Sequence, residues 1–269
     1  MSNPPEIDTT KPHSARIYDY FLGGKDNFAA DREVADQAIA SSPSIRVAAR
    51  ENRAFIGRAV RYLVTEAGID QFLDIGSGLP TANNVHEVAQ GINPAARVVY
   101  ADNDPIVHAH SRALLTSTPP GRCAYIHADL RAPETIIDNP VVLETLDFRR
   151  PVALILAAVV HFLGPDDEPE RVIRTLLNAL PSGSYVVATH GTTEYAQTRS
   201  TDGLSRAYQQ GGVRTHLRDA GEFGRLVFGG LELVPPGVIV TSEWRPDDGS
   251  QPRPLPSEVL TNAGVGRKP

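Results

Sequence analysis

Blocks of hydrophobic and polar residues alternate along the middle of the chain and predict strands and helices in turn. Short apolar runs typical of buried strands occupy residues 72–75, 97–101, 123–127, 152–157, 185–189 and 238–242. Helical periodicity fills most of the intervals, at residues 81–90, 105–116, 134–146 and 168–180. Regular alternation of this kind predicts right-handed crossovers and a mostly parallel, doubly wound sheet.

The N-terminal part of the chain is patterned as helices only. Residues 1–12 are polar and contain several prolines, which is typical of a loose tail. Apolar residues at helical spacing follow at 17–22 and from 31 to about 43, and a long apolar stripe runs through 44–67. We therefore expect residues 1–67 to form a tail and a helical cap.

The C-terminal part departs from the alternation in a different way. Residues 191–230 interrupt it, and we expect an insertion or a lid over the sheet edge. Residues 231–240 predict two short strands joined by a turn, a terminal antiparallel hairpin. Residues 246–269 are rich in proline and glycine and predict a loose tail. The core at 68–245 is thus expected to be an α/β, Rossmann-like fold with a mostly parallel sheet of seven strands.

Composition narrows the class of protein. A chain of 269 residues with 41% hydrophobic and 22% charged residues suits a single α/β domain with additions. The net charge of −6 disfavours non-specific nucleic-acid binding. Four arginines of the long helix fall mainly off its apolar stripe, and we expect a solvated basic face rather than a binding patch: Arg46, Arg50, Arg53 and Arg61.

The cysteine and histidine content bears on compartment and metals. The single cysteine, Cys123, excludes an internal disulfide framework, and its apolar neighbours predict an inert core residue. Histidines with metal-ligand spacing are missing, so no metal site is expected. Apolar runs also fall short of the roughly 20 residues that span a bilayer, and the polar N-terminus does not resemble a secretory signal. A cytoplasmic protein without membrane partners is expected.

A glycine turn after the first strand is the main candidate site. The run Asp74-Ile75-Gly76-Ser77-Gly78 ends a strand, and helical periodicity resumes after Pro80. Open α/β sheets bind nucleotide-like ligands at such turns. A pyrophosphate would need backbone N–H donors, yet Pro80 removes one and Thr81 replaces the third glycine of the dinucleotide pattern. Since the carboxylate of Asp74 attracts cations, we expect a ligand that is cationic near the turn.

Acidic residues end the next two strands. Asp102 follows the second strand at about the separation at which the dinucleotide fold places its ribose-binding acid. Asp104 precedes Pro105 and is better suited to capping a helix. Asp129 ends the third strand and can accept a hydrogen bond from an adenine amino group. Because the carboxyl ends of parallel strands form one crevice, these acids predict an adenosyl ligand.

These motifs together resemble the class I S-adenosylmethionine-dependent methyltransferases. The matching runs are Asp74-Ile75-Gly76-Ser77-Gly78, Tyr100-Ala101-Asp102-Asn103-Asp104-Pro105, Ala128-Asp129-Leu130 and the fourth strand with its following turn at 153–163. The N-terminal run at 15–28, taken with the turn, resembles more particularly an actinobacterial methyltransferase family long described as a domain of unknown function. The resemblance implies the fold and S-adenosyl-L-methionine as cofactor, with S-adenosyl-L-homocysteine as product.

The resemblance also implies cofactor contacts, by position in the motifs. They are Asp74, Gly76, Ser77 and Gly78 toward the methionine end, Asp102 and Asn103 toward the ribose, Asp129 and Leu130 toward the adenine, and Ala157 and Ala158 beside the sulfonium. The segment 18–25 is expected to fold over the site, with Tyr18 and Gly23 nearest. For Tyr18, packing on a helix face is an equally good interpretation.

The reaction leaves the catalytic residues open. Methyl transfer from a sulfonium is an in-line displacement, so positioning and exclusion of water can supply much of the acceleration. If the acceptor must lose a proton, His161, His190 and Tyr195 are weak candidates for the base. The chain has no Asn-Pro-Pro-Tyr-like run after the fourth strand, which is the usual signature of enzymes that methylate nucleobase amino groups. A small-molecule acceptor is therefore expected. The alternatives are a nicotinamide-dependent oxidoreductase and a non-catalytic S-adenosylmethionine-binding module; the oligomeric state is open.

Overall fold

The computed structural model describes residues 8–114, 117, 119–195, 198–247 and 252–269. Parts of four predicted segments lie outside the described residues. They are residues 1–7 of the expected N-terminal tail, 115–116 at the end of a predicted helix, 196–197 of the expected insertion or lid, and 248–251 of the expected C-terminal tail.

Eight strands in the described part of the chain form one sheet. Their bounds are β1 Gln71–Ile75, β2 Arg97–Asp102, β3 Arg122–His127, β4 Ala153–Leu156, β5 Tyr185–Gly191, β6 Glu232–Leu233, β7 Ile239–Val240 and β8 Thr261–Arg267. The order is β3-β2-β1-β4-β5-β8-β6, with β7 also paired to β8. The first five strands are parallel, and β8 is antiparallel to its neighbours. The strand order reverses between β1 and β4, which makes this the switch point of the fold.

Helices cover both faces of the sheet. Their bounds are α1 Ser14–Phe21, α2 Ala29–Ser41, α3 Ile45–Thr65, α4 Val85–Ile92, α5 Pro105–Leu114, α6 Pro133–Ile137, α7 Pro140–Thr145, α8 Pro169–Ala179, α9 Thr198–Gln210, α10 Ala220–Phe228 and α11 Pro256–Val259. Short 3-10 turns occupy Val160–Phe162, Pro165–Asp167 and Thr241–Glu243. Among the described residues, no helix combines the length and apolar character needed to cross a membrane.

Successive residues of β1 enter different cores, as the pleat of a strand requires. Leu73 faces a core formed with α6, α8 and α10, whereas Phe72 faces a second core that contains Phe55 of α3 and Trp244. Helix α3 thus packs on the sheet through Phe55 and on the cap through Ala49, and the expected division of the chain at residue 67 stays a prediction. The predicted α/β class, with a mostly parallel, doubly wound sheet and antiparallel C-terminal strands, is confirmed.

The C-terminal residues are the main departure from the predicted fold. Residues 261–267 of the expected loose tail form β8, which pairs with β5 along seven residues. The predicted hairpin is also wrong in its pairing, since β6 and β7 each pair with β8 rather than with one another. Glycine weakens a strand unless another group must approach closely. Here Gly264 and Gly266 lie under the ring of Phe228, so the glycines that predicted a tail allow α10 to pack.

The cap is assembled from distant parts of the chain. Ile17 and Phe21 of α1 share an apolar cluster with Val34 of α2 and with Ala207 and Tyr208 of α9. Helix α9 lies in the segment expected to be an insertion or lid. It packs on α2, and so it completes the N-terminal cap instead of covering a sheet edge alone.

A glycine pair tests the packing of β8. A Cβ on Gly264 would lie 2.8 Å from the Phe228 ring, whereas one on Gly91 of α4 would meet nothing within 4 Å. Gly264→Ala should therefore lower the free energy of unfolding by about 1–3 kcal/mol. Gly91→Ala should raise it by about 0.4–1 kcal/mol. Urea denaturation measures both, and a neutral Gly264→Ala would contradict the described packing.

Candidate functional site

A crevice opens at the carboxyl ends of β1, β2 and β4, at the switch point of the sheet. Its inner lobe lies between the glycine turn at 76–78, the loop at 157–159 and helices α1, α3 and α9. Its outer lobe extends along 129–131, 163–167 and 212–216. The two lobes share Gly76, Asp102 and Asn103, so they form one continuous site.

The glycine turn adopts a conformation that its two glycines permit. Gly76 and Gly78 have φ of 73° and 67°, in the left-handed region that side chains disfavour. A Cβ on Gly76 would lie 2.5 Å from Val159, so this glycine also allows the turn to pack on the loop after β4. A Cβ on Gly78 would meet nothing within 4 Å, which leaves its surroundings open for a ligand.

Asp102 holds the turn in place from the end of β2. Its carboxylate accepts hydrogen bonds from the Gly78 N–H at 2.8 Å and the Asp104 N–H at 2.9 Å. Burial raises the pKa of Asp102, and these two hydrogen bonds oppose the rise. Each carboxylate oxygen can accept a second hydrogen bond. Asp102 thus braces the turn and keeps acceptor capacity toward the crevice.

Asp74 is a buried carboxyl group without a donor. It is 6% exposed, and no described residue donates a hydrogen bond to it. Burial raises its pKa to about 7; the Arg53 guanidinium opposes this shift, and Asp102 adds to it. An unpaired carboxylate in a cavity is costly unless a cationic ligand arrives. The site therefore favours a positive group beside the turn.

Arg53 is a site residue that the sequence reasoning missed. It was expected on a solvated face, but its half-buried side chain lines the inner lobe. One guanidinium nitrogen donates to the Asn83 carbonyl at 3.2 Å, which fixes the group near the turn. The polar residue Asn52 lies within the apolar stripe predicted at 44–67, and it was the available sign that polar side chains of α3 face inward here. Arg53 places a cation where a ligand carboxylate could bind.

The outer lobe carries the predicted residues of the third strand end. Leu130 and Asp129 line it, and Asp129 accepts from the Asn103 side chain at 3.0 Å and pairs with Arg131 at 3.0 Å. Burial alone would raise the pKa of Asp129, but the hydrogen bonds from Arg131 and Asn103 lower it. Asp129 is therefore ionised and partly engaged.

A buried ion-pair group joins the cap to the crevice. Asp104 contacts Arg16 at 3.1 Å and His13 at 3.2 Å. It also accepts from the Ile106 N–H at 2.9 Å, so its predicted role as a helix cap is confirmed. His13 lines both lobes, although nothing in the sequence singled it out. The N-terminal segment is thus held across the mouth of the crevice.

Two residues of that segment have different positions. Tyr18 lines the inner lobe and is half-buried, with its hydroxyl donating to the Ala49 carbonyl at 3.0 Å. Gly23 lines neither lobe. Its N–H donates to the backbone carbonyl of Tyr20, and its φ of 82° ends α1. Gly23 thus lies outside the crevice, where its glycine character serves the helix end, and its contact with a ligand stays a prediction.

The loop after β4 presents a strained apolar wall. Ala157 and Ala158 line the inner lobe. Ala158 has a φ of 54°, which costs about 1–2 kcal/mol for a residue with a Cβ. Its N–H donates to Thr189 Oγ1 at 2.8 Å, which holds the loop against β5. The neighbouring strand thus fixes this wall beside the glycine turn.

The three candidate bases differ in their surroundings and in their hydrogen-bond partners. His190 is fully buried, with Nδ1 2.7 Å from the Gly191 carbonyl and Nε2 3.2 Å from Arg218, so both ring nitrogens are occupied. His161 lines the inner lobe, and burial, with His190 and Arg218, lowers its pKa to about 3. Its Nδ1 accepts from the Gly191 N–H at 3.4 Å, which leaves the proton on Nε2. Tyr195 lines neither lobe. The geometry favours none of the three as a base.

The polar groups of the crevice suit an adenosyl-amino-acid ligand. The buried Ser77 hydroxyl has no hydrogen-bond partner among the described residues, and Asp74 has none either. Gly78 leaves open space beside them, and Arg53 supplies a cation near Asp74. An ammonium, a carboxylate and a ribose would satisfy these groups. Eleven of the twelve predicted cofactor residues line the two lobes, and Gly23 is the exception.

Comparison with known proteins agrees with this chemistry. A family model described as S-adenosyl methyltransferase matches residues 1–269. A crystal structure of a DUF574 family protein from Streptomyces avermitilis MA-4680 has a TM-score of 0.94 and 45% identity, covering 98% of this chain and 100% of that one. A candidate methyltransferase from Thermobifida fusca YX has a TM-score of 0.89 and 45% identity, covering 98% of each chain.

More distant structures share the fold alone. An N-methyltransferase from Bradyrhizobium japonicum WM9 in complex with S-adenosyl-L-homocysteine has a TM-score of 0.51 and 13% identity, covering 94% of this chain and 99% of that one. Among curated proteins, none matches this chain.

The pKa of Asp74 makes a prediction for the cofactor-free protein. Between its ordinary value of 3.8 and the folded value of about 7, the folded protein binds more protons than the unfolded chain. This carboxyl group therefore lowers stability progressively as pH rises through that window. Asp74→Asn removes the loss and should be more stable than wild type at about pH 8, by at least ~1 kcal/mol. At about pH 4 the gain should vanish.

Urea denaturation at both pH values measures the difference. Asp138→Asn, at an exposed position outside the crevice, is the matched control with which the gain of Asp74→Asn is compared. An equal effect of Asp74→Asn at the two pH values would show that the carboxyl group titrates normally.

Proposed function

The chain belongs to the S-adenosyl methyltransferase family, and we propose that the acceptor of the methyl group is a small molecule bound in the inner lobe. The family resemblance predicted from the sequence is thereby confirmed, and the protein is an S-adenosylmethionine-dependent methyltransferase. The observation that carries the proposal is the continuity of the inner lobe, which runs from the glycine turn to cap residues such as Phe21 and Leu204. A site enclosed by a cap suits a small acceptor.

The methionine end of the cofactor would lie at the glycine turn. When bound, S-adenosylmethionine supplies an electrophilic methyl group on a sulfonium. Asp74 would attract the ammonium group, and Arg53 would pair with the carboxylate. Ser77, whose hydroxyl lacks a partner, would add a hydrogen bond. The turn itself would stay fixed, because Asp102 already holds the Gly78 N–H.

The nucleoside end would extend into the outer lobe. Asp102 has acceptor capacity for the ribose hydroxyls, and Asn103 lies beside it in both lobes. Leu130 supplies an apolar surface for the adenine, with Asp129 as an acceptor for its amino group. The mouth is crossed by His13, which ties this end of the site to the cap.

The protein would promote transfer by positioning and by excluding water. Ala157 and Ala158 leave the sulfonium side apolar, so water is excluded where the methyl group would move. His161 stays neutral with its proton on Nε2, which suits a hydrogen-bond donor better than a base. An acceptor that is already nucleophilic, or that loses its proton after transfer, fits this arrangement.

Two alternative functions were predicted from the sequence. Because the chain belongs to the S-adenosyl methyltransferase family, the nicotinamide-dependent oxidoreductase is no longer proposed. A measurement of methyl-transfer turnover would distinguish the enzyme from a non-catalytic cofactor-binding module. A cytoplasmic location forms part of the proposal, and it is supported by the single cysteine, since oxidising compartments favour disulfide-bonded proteins.

Arginine substitutions on one helix test the cofactor site. Arg53→Met keeps the aliphatic stem but removes the charge, and it should weaken binding of S-adenosylmethionine at least about tenfold through the lost charge-assisted hydrogen bonds. Arg50→Met, at an exposed position three residues away, should bind normally. Isothermal titration calorimetry measures both. Equal affinity of the two variants would remove Arg53 from the site.

Label transfer tests the acceptor class. Cell extract incubated with the enzyme and methyl-labelled S-adenosylmethionine should carry enzyme-dependent label in the low-mass fraction. Asp102→Asn, which weakens the brace on Gly78 and the ribose contact, should reduce the label at least about tenfold. Label confined to protein or nucleic acid would contradict a small-molecule acceptor, and absence of turnover with normal cofactor binding would favour the non-catalytic module.

A further inference from the structure

The inner lobe has a chemically distinct half beneath the cap. We define the cap half by six lining residues contributed by α1, α3, α9 and the turn after β4: Phe21, Ile45, Ala49, Phe162, Leu204 and Tyr208. All six belong to, or pack against, the apolar cluster that builds the cap. The surface offered to a ligand here is therefore mostly aliphatic and aromatic.

Charge is confined to the other half. Among the described residues that line the inner lobe, the acidic and arginine side chains are Arg53, Asp74 and Asp102, all placed about the glycine turn. The described part of the cap half presents no such group. A charged acceptor would lose its hydration there without gaining a partner, and so the cap half discriminates against ions.

Asn52, which also lines the inner lobe, carries an unpaired amide oxygen. The Tyr18 hydroxyl donates its single proton to the Ala49 carbonyl at 3.0 Å. Its oxygen must then accept from Asn52, whose Nδ2 lies 2.8 Å away. This network fixes the orientation of the Asn52 amide. The buried Oδ1 is left without a hydrogen-bond partner among the described residues, although Asn52 lines the lobe.

A second polar atom lies close by. Tyr208 lines the cap half, and no described residue donates to or accepts from its hydroxyl. Burial raises the pKa of Tyr208 above its ordinary range, as does nearby Tyr18, so the hydroxyl stays neutral. Phe162 lies against it with ring centroids 6.4 Å apart. The cap half thus combines aromatic walls with an acceptor and a neutral hydroxyl.

Buried polar atoms are normally satisfied, and an orphaned one calls for a ligand group. We propose that the cap half binds a neutral, largely apolar acceptor molecule that carries a hydrogen-bond donor, such as a hydroxyl or N–H group, and that Asn52 Oδ1 accepts from this donor. The inference rests on the proposed function, since it assigns the acceptor class of the same site. It excludes anionic acceptors, which Asn52 and the apolar walls would not stabilise.

Ring-matched probes test the inference on the full chain saturated with S-adenosyl-L-homocysteine. The probes are 1-naphthol, 1-methoxynaphthalene and 1-naphthoate, followed by naphthyl fluorescence at neutral pH. They share the ring system and differ in donor and charge. Naphthol should bind about fivefold or more tightly than the methoxy compound, which lacks the donor. Naphthoate should bind most weakly.

Variants locate the binding. Ser205 lines the inner lobe from α9, so Ser205→Phe should fill the space and abolish naphthol binding. Gln209→Phe, on the exposed side of the same helix, should leave it unchanged. Asn52→Leu should abolish the preference for naphthol over the methoxy compound. The wild-type comparison decides the matter even if a variant fails to fold.

The outcomes separate this inference from the proposed function. If S-adenosyl-L-homocysteine binds but naphthol shows no advantage over the methoxy compound, or no probe binds, the inference is wrong and the cofactor site stands. Tightest binding of naphthoate also overturns it. If S-adenosyl-L-homocysteine itself fails to bind the folded protein, the proposed function fails first.

Discussion

The site depends on the carboxylate of Asp102, which accepts hydrogen bonds from the backbone N–H groups of Gly78 and Asp104. The first bond fixes the glycine turn after β1, and the second fixes the loop after β2. Asp104 in turn contacts Arg16 of α1, and Arg16 reaches Asp31 of α2 at 3.5 Å. One line of buried polar contacts therefore runs from the turn to the cap. These contacts hold the glycine turn and the cap in fixed relative positions.

This arrangement concentrates negative charge that burial penalises. Asp74 and Asp102 lie near one another, and the pKa values of both are raised by burial. Arg53 opposes the shift at Asp74 without contacting it in a hydrogen bond. A ligand with a cationic amino acid end relieves this unfavourable burial. The cofactor site is thus less stable when empty, which is usual where binding groups must be desolvated in advance.

The cap contributes the opposite character. Its apolar cluster unites residues of α1, α2, α3 and α9, far apart in the chain. Here the apolar side chains hold the cap together and also line the cavity. Polar atoms are few and directed, as the orphaned Asn52 oxygen shows. Affinity and orientation in the cap half would therefore come from shape and a small number of hydrogen bonds rather than from charge.

The sequence by itself determined the features that local patterns encode. Alternating apolar runs specify the parallel sheet, and the glycine turn with Asp74, Asp102 and Asp129 specifies a crevice, because strand ends and turns have local signatures. Tertiary structure alone decided the rest. Glycines suggested a loose tail, yet Phe228 packs on them and makes β8 an inner strand. Arg53 lines the crevice, and Arg218 occupies Nε2 of His190, because contacts between distant segments leave no periodic trace in the sequence.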